Sequence, residues 1–89
     1  MAVWGLDVQQ VRQLASQLNG KAEEIQSILT TLTSQLNSTQ WVGPDAEQFR
    51  ADWSGTHTAS LRNVINALNE AGRKANANAT AQESTSSSL

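Results

Sequence analysis

The chain has no cysteine and no tyrosine, and it has a single proline, a single phenylalanine and a single histidine. Without cysteine there is no disulfide to staple so short a chain and no thiolate for a structural metal, so 89 residues must be held together by packing. One histidine and scattered carboxylates give no cluster with metal-ligand spacing, and no cofactor is expected. Charge is sparse too. Six Lys and Arg against eight Asp and Glu leave a formal net charge of −2, with no basic stripe for a phosphate backbone, so nucleic acid is not an expected partner. The start, Met1 to Asp7, shows neither a basic n-region nor an apolar h-region, and no long uncharged apolar run follows. Neither a secretory signal peptide nor stable membrane insertion is expected.

The sole Pro and Phe gather in one stretch with two of the three tryptophans, Trp41-Val42-Gly43-Pro44-Asp45-Ala46-Glu47-Gln48-Phe49-Arg50-Ala51-Asp52-Trp53. Pro44 has φ fixed near the helical value and no N–H to lose, which suits the first residue of a helix. Gly43 before it can take a backbone geometry that bulkier residues resist. Asp45 and Glu47 then put negative charge where the free N–H groups and the helix dipole favour it. Phe49 and Trp53, four apart, share a face. Trp41 lies just outside the helix, free to fold over the corner. These residues form a hinge between two long amphipathic helices.

Before the hinge, Asp7 is a good N-cap, and apolar or small residues recur at Val8, Val11, Ala15, Leu18, Ala22, Ile25, Leu29, Leu32 and Leu36. The alternation of three and four extends back to Trp4 and passes through Gly20 without a change of phase. Leu14 and Ile28 widen the stripe, so the helix should be contacted on more than one side. After the hinge, His57, Leu61, Val64, Ile65, Leu68, Ala71 and Ala75 continue the pattern from Trp53. The spacing predicts one domain over 1–89: a helix over 7–39, a turn at 40–43, a helix over 44–79, and a disordered tail over 80–89, where Gln, Ser and Thr bury nothing. The fold class is all-α, an antiparallel helical hairpin. One seam between two helices buries too little apolar surface to offset the entropy of ordering them, so the hairpin is expected to dimerise into a four-helix bundle. The packing and dimer face would comprise Val11, Leu14, Leu18, Ile25, Leu29, Leu32, Leu36, Phe49, Trp53, Leu61, Val64 and Leu68.

Other uses of these residues are weaker. His57 could act as a general base, but no nucleophile stands four residues to either side, and Trp53 and Leu61 flank it, so it reads as packing at the edge of the apolar face. Trp41 and Trp53 could stack on bases or sugars, yet no basic groove surrounds them. A helix lying on a membrane usually carries Lys and Arg on its polar face, which here is Gln, Asn, Ser and Thr. No catalytic residue is expected, and the chain does not read as an enzyme.

Trp41-Val42-Gly43, placed mid-chain between two long helices and followed by Phe49 and Trp53, resembles the turn that names the WXG family. These are small helical-hairpin proteins exported by type VII (ESX) secretion systems of actinobacteria and Firmicutes, related to the early secreted antigen pair of mycobacteria. The resemblance implies a hairpin that pairs with its own copy or with another hairpin of the family. It also implies passage through the type VII machinery without a cleaved signal peptide, from a cytoplasmic pool to the outside. There it would act as effector, adaptor, chaperone-like escort or virulence factor. Many secreted members carry Tyr-x-x-x-Asp/Glu just after the second helix. The corresponding positions here are Ala75 and Ala79, a degenerate form of that export signal. The alternative is a cytoplasmic helical assembly module with no export role.

Overall fold

The computed structural model describes residues 6–88. Two helical arms run antiparallel. The first is α1, Val8–Ser38; the second joins α2, Pro44–Asp52, through a π-helical turn, Trp53–His57, to α3, Thr58–Ser88. The hairpin is 68 Å long and 17 by 15 Å in section. Among the described residues there is no strand.

Local chemistry sets the ends of these elements. The Asp7 carboxylate accepts from the Gln10 N–H at 3.0 Å, capping α1. At the other end the chain turns extended at Thr39, and the Ser38 and Thr39 hydroxyls donate to the Gln35 carbonyl at 3.1 and 2.6 Å. Those side-chain bonds occupy a carbonyl of the last turn and end the helix. Gly43 stands at φ 125°, in the region that disfavours any Cβ, and Pro44 follows as the first helical residue. The Glu47 N–H then donates to the Gly43 carbonyl at 3.0 Å, closing the first turn of α2.

The seam between the arms is built from small side chains. Ala15, Ala22, Leu29, Ala46, Ile65 and Ala79 are its buried hydrophobic residues, and four of these six are alanine. Small residues let the helices approach closely, and Gly72 shows how closely. A Cβ added there would stand 2.5 Å from Asn19 Oδ1 and 3.1 Å from the Ala15 carbonyl oxygen. Gly72→Val is therefore expected to push the arms apart. Overpacking of this kind costs about 1–3 kcal/mol, and a domain of this size loses roughly 4–8 °C of melting temperature per kcal/mol. Thermal melting followed by circular dichroism checks it; an unchanged midpoint would show that the arms can separate freely.

Three expectations need correction and one is narrowed. Leu32, expected on the packing and dimer face, stays exposed outside the seam, where Thr33 stands half-buried and accepts from Trp53 Nε1–H at 2.9 Å. A strict three-and-four alternation drifts by about 20° per heptad around a straight helix, so by the fourth heptad the next row faces the partner arm. The second arm is not one unbroken α-helix, because the π-turn interrupts it. His57 accordingly stands exposed on the outer surface, with Thr58 half-buried against α1. Finally, α3 does not stop at residue 79. It runs to Ser88, so the disordered tail expected over 80–89 is helical over 80–88, and Leu89 lies outside the described residues, as does Trp4. Ala79 is buried and Gln82 half-buried in this stretch, and Arg12 adds a polar tie. Its guanidinium donates to Thr80 Oγ1 at 3.3 Å and forms an ion pair with Glu83, tying the end of α3 to the first turns of α1.

Candidate helix-pairing face

Side chains turned away from the seam divide by chemistry. Along α1, Leu14, Leu18, Ile25, Ile28, Leu32 and Leu36 recur at three and four and so lie on one side. Lys21 breaks that row and pairs with Glu24 at 3.0 Å. Along the second arm Phe49, Trp53, Leu61, Val64 and Leu68 fall on the same side of the hairpin. Leu14, Ile28, Leu32, Phe49 and Val64 keep 42–54% of their surface exposed. Val11, Leu18, Ile25, Leu36, Trp53, Leu61 and Leu68 are half-buried. The opposite side is polar. It holds a groove lined by Asn19, Asn66, Asn69, Glu70, Arg73 and Asn76, with Arg73 and Glu70 paired.

The apolar side culminates at the corner. Trp41 folds over Phe49, ring centroids 5.2 Å apart and tilted by 52°, within the 4.5–7 Å range of favourable aromatic pairs. Beneath them a shallow cleft of about 300 Å³ is lined by Leu32, Leu36, Trp41, Phe49 and Trp53. A second hollow shares Phe49 and Trp53 and runs on to His57 and Leu61, so the apolar surface is continuous from the corner into α3. Trp41 keeps 38% of its surface in the single hairpin. It is a lid on the corner rather than an enclosed core residue. Val42, at 96% exposure, touches almost nothing.

Arg50 holds this corner, a role that composition and spacing do not reveal. Its Nη1 donates to the Trp41 carbonyl at 2.7 Å and its Nη2 to the Thr39 carbonyl at 3.1 Å, with the Leu36 carbonyl at 3.5 Å. One guanidinium fork thus serves the end of α1 and the extended strip that follows it, fixing Trp41 over Phe49. The only signal in the sequence is a cation nine residues after a tryptophan, which has no local periodicity to betray it.

A family model described as proteins of 100 residues with WXG matches residues 6–86. The chain belongs to the WXG100 family. Members of WXG100 are small helical proteins associated with type VII (ESX) secretion and typically form helical-hairpin dimers. No curated protein and no solved structure matches the chain. In this WXG100 hairpin the motif residues divide their work: Gly43 makes the turn, Trp41 caps the apolar face, and the middle residue points into solvent. Among the described residues no group of His, Cys, Asp and Glu could hold a metal ion, and no helix is long and apolar enough to cross a membrane.

The last two small residues of the second arm's seam, Ala75 and Ala79, differ in burial. Ala75 is half-buried and Ala79 is wholly buried against α1. A carboxylate at residue 79 would sit in the seam instead of on the surface. Ala79→Asp is expected to detach the last turns of α3, because an uncompensated buried charge costs several kcal/mol while fraying a helix end costs less. Hydrogen exchange should then show faster amides from about residue 76 onward, with the rest unchanged; protection retained to residue 85 would show that the seam admits a charge there.

Proposed function

We propose that this WXG100 protein serves a type VII (ESX) secretion system by helix-to-helix binding, as an effector, adaptor or escort, and that it works as a pair. The observation that carries this reading is the apolar face of the hairpin, continuous from Leu32 and the Trp41 corner to Leu61 and carried on by exposed Leu14, Ile28 and Val64, which the single hairpin leaves open. Soluble monomers seldom expose contiguous apolar patches larger than a few hundred Å² without a use for them. A second hairpin laid on the face, most simply a second copy, completes a four-helix bundle. Its uncharged character fits a buried core better than a nucleic-acid or substrate site. On this reading the protein is not an enzyme and binds no cofactor.

Sedimentation equilibrium over the micromolar range tests the pairing, with a dimer as the expected result. A well-folded monomer with sharp cooperative melting would contradict it. A poorly folded monomer rescued by another hairpin protein would identify that protein as the partner. Export is expected to depend on a partner that displays a tail signal, since residues 75 and 79 here are alanines turned toward α1. The test is expression alone and together with a second hairpin protein of the family in a type VII-competent host, with assay of the medium. Efficient secretion of this chain alone, unaffected by deleting residues 76–89, would overturn that dependence.

A further inference from the structure

The side chains of the second arm that face α1 are Ala46, Arg50 and Trp53, then Thr58, Leu61, Ile65, Leu68, Gly72, Ala75 and Ala79. Their spacing alternates between four and three at every step except one: Trp53 to Thr58 is a step of five. An α-helix returns to the same side after three or four residues, so a step of five needs a turn that holds one residue more. The π-turn is that device. The Thr58 N–H reaches back to the Trp53 carbonyl, and the Trp53 N–H divides between the carbonyls of Phe49 and Arg50. The surplus residue is absorbed within one turn, and both flanks keep their register against α1.

The seam does not require this insertion. Taking one residue out between Trp53 and Thr58 would leave a step of four, and the alternation would then run unbroken from Ala46 to Ala79. Gly55 lies at the middle of the turn, exposed, and a Cβ there would meet nothing within 4 Å, so no close approach demands a glycine. Glycine inside a helix costs about 1 kcal/mol relative to alanine, and single π-turns within α-helices are rare and concentrate at functional sites. The stretch therefore combines two locally unfavourable choices that packing within the hairpin does not use. It lies on the outer surface at the aromatic end of the apolar face, where the His57 ring leans on Trp53 at 6.2 Å beside Phe49 and Leu61.

We infer that the π-turn is a specificity element of the pairing face: the hairpin folds without the extra residue, and the fit to a second copy needs it. The extra residue widens the turn between the Phe49–Trp53 row and the Leu61–Val64 row and sets His57 on the outer surface. A second copy seated on that face must match the widened turn, and an ordinary α-turn there would withdraw the side chains it meets. The inference rests on the pairing reading above.

The experiment removes Gly55 from the full chain, with removal of Asn66 as the comparison. At a dilution where sedimentation shows the native chain to be monomeric, the Gly55-deleted chain is expected to melt at or above the native midpoint. The Asn66-deleted chain, in which Leu68, Gly72, Ala75 and Ala79 leave the seam, is expected to melt well below it. At concentrations where the native chain pairs, the Gly55-deleted chain is expected to pair at least tenfold more weakly. Native-strength pairing of that chain would overturn the inference while leaving the pairing reading intact. A midpoint lowered as far as that of the Asn66 deletion would also overturn it, by showing that the seam depends on the extra residue. If the native chain stays monomeric at every concentration, the pairing reading falls and the role of the turn falls with it.

Discussion

Leu32→Glu combined with Phe49→Glu should abolish pairing and leave the hairpin folded. In the single hairpin both side chains are exposed, at 42% and 44%, so the helices lose little. At Leu32 such a surface substitution usually moves stability by less than about 0.5 kcal/mol, while Phe49→Glu also gives up the ring contact with Trp41, worth about 0.5–1.5 kcal/mol. In the four-helix bundle both would lie under the second hairpin, where an uncompensated carboxylate costs several kcal/mol to bury. With about 1.4 kcal/mol per tenfold in affinity, the dissociation constant should rise by roughly a thousandfold or more. Sedimentation equilibrium reads the association and far-ultraviolet circular dichroism the fold. A glutamate at Asn66, on the polar side, should change neither. If the double variant pairs as tightly as the native chain, the apolar face is not the pairing surface.

The second large effect lies at Trp53, where the seam and the outer face meet. Its indole fills the gap between the arms, its Nε1–H donates to Thr33 Oγ1 at 2.9 Å, and its outer edge forms part of both apolar hollows. Trp53→Ala removes all three contributions. Large-to-small aromatic substitutions in cores cost about 3–5 kcal/mol, and the half-buried position places this one near the lower figure. At roughly 4–8 °C per kcal/mol, the melting midpoint should fall by about 12–24 °C. Trp53→Phe keeps most of the packing and loses the bond to Thr33, and should fall by only about 1 kcal/mol. Equal losses in the two variants would assign the stability to the hydrogen bond instead of the packing.

What the sequence discloses and what it hides follow from the range of each interaction. The Asp7 cap and the Gly43-Pro44 turn are legible because they act through neighbours in the chain, and the structure places both as their chemistry requires. Leu14 and Ile28 are legible as residues outside the α1 stripe, and both stay more than half exposed, at 54% and 53%. The π-turn was hidden because His57 fits a four-residue step from Trp53 as well as Thr58 fits a five-residue one, and only the register of α1 decides between them. Arg50 was hidden because its acceptors are backbone carbonyls, which carry no sequence signature. The helical continuation past residue 79 was hidden for a related reason: Thr80 and Glu83 look like solvated tail residues until Arg12, at the other end of the chain, is brought beside them.

A rod 68 Å long and no more than 17 Å across drags through water far more than a sphere of the same mass. Gel filtration against globular standards will therefore overstate the mass of a single hairpin and can pass it off as a pair. Frictional behaviour carries information that apparent mass does not. Two hairpins laid side by side double the mass at unchanged length, so the particle becomes stubbier and its frictional ratio falls on association. Two joined end to end at the Trp41 corners would double the length, and the ratio would rise. The sign of that change, read from sedimentation velocity across a dilution series, distinguishes a four-helix bundle from a chain of rods without any labelled residue.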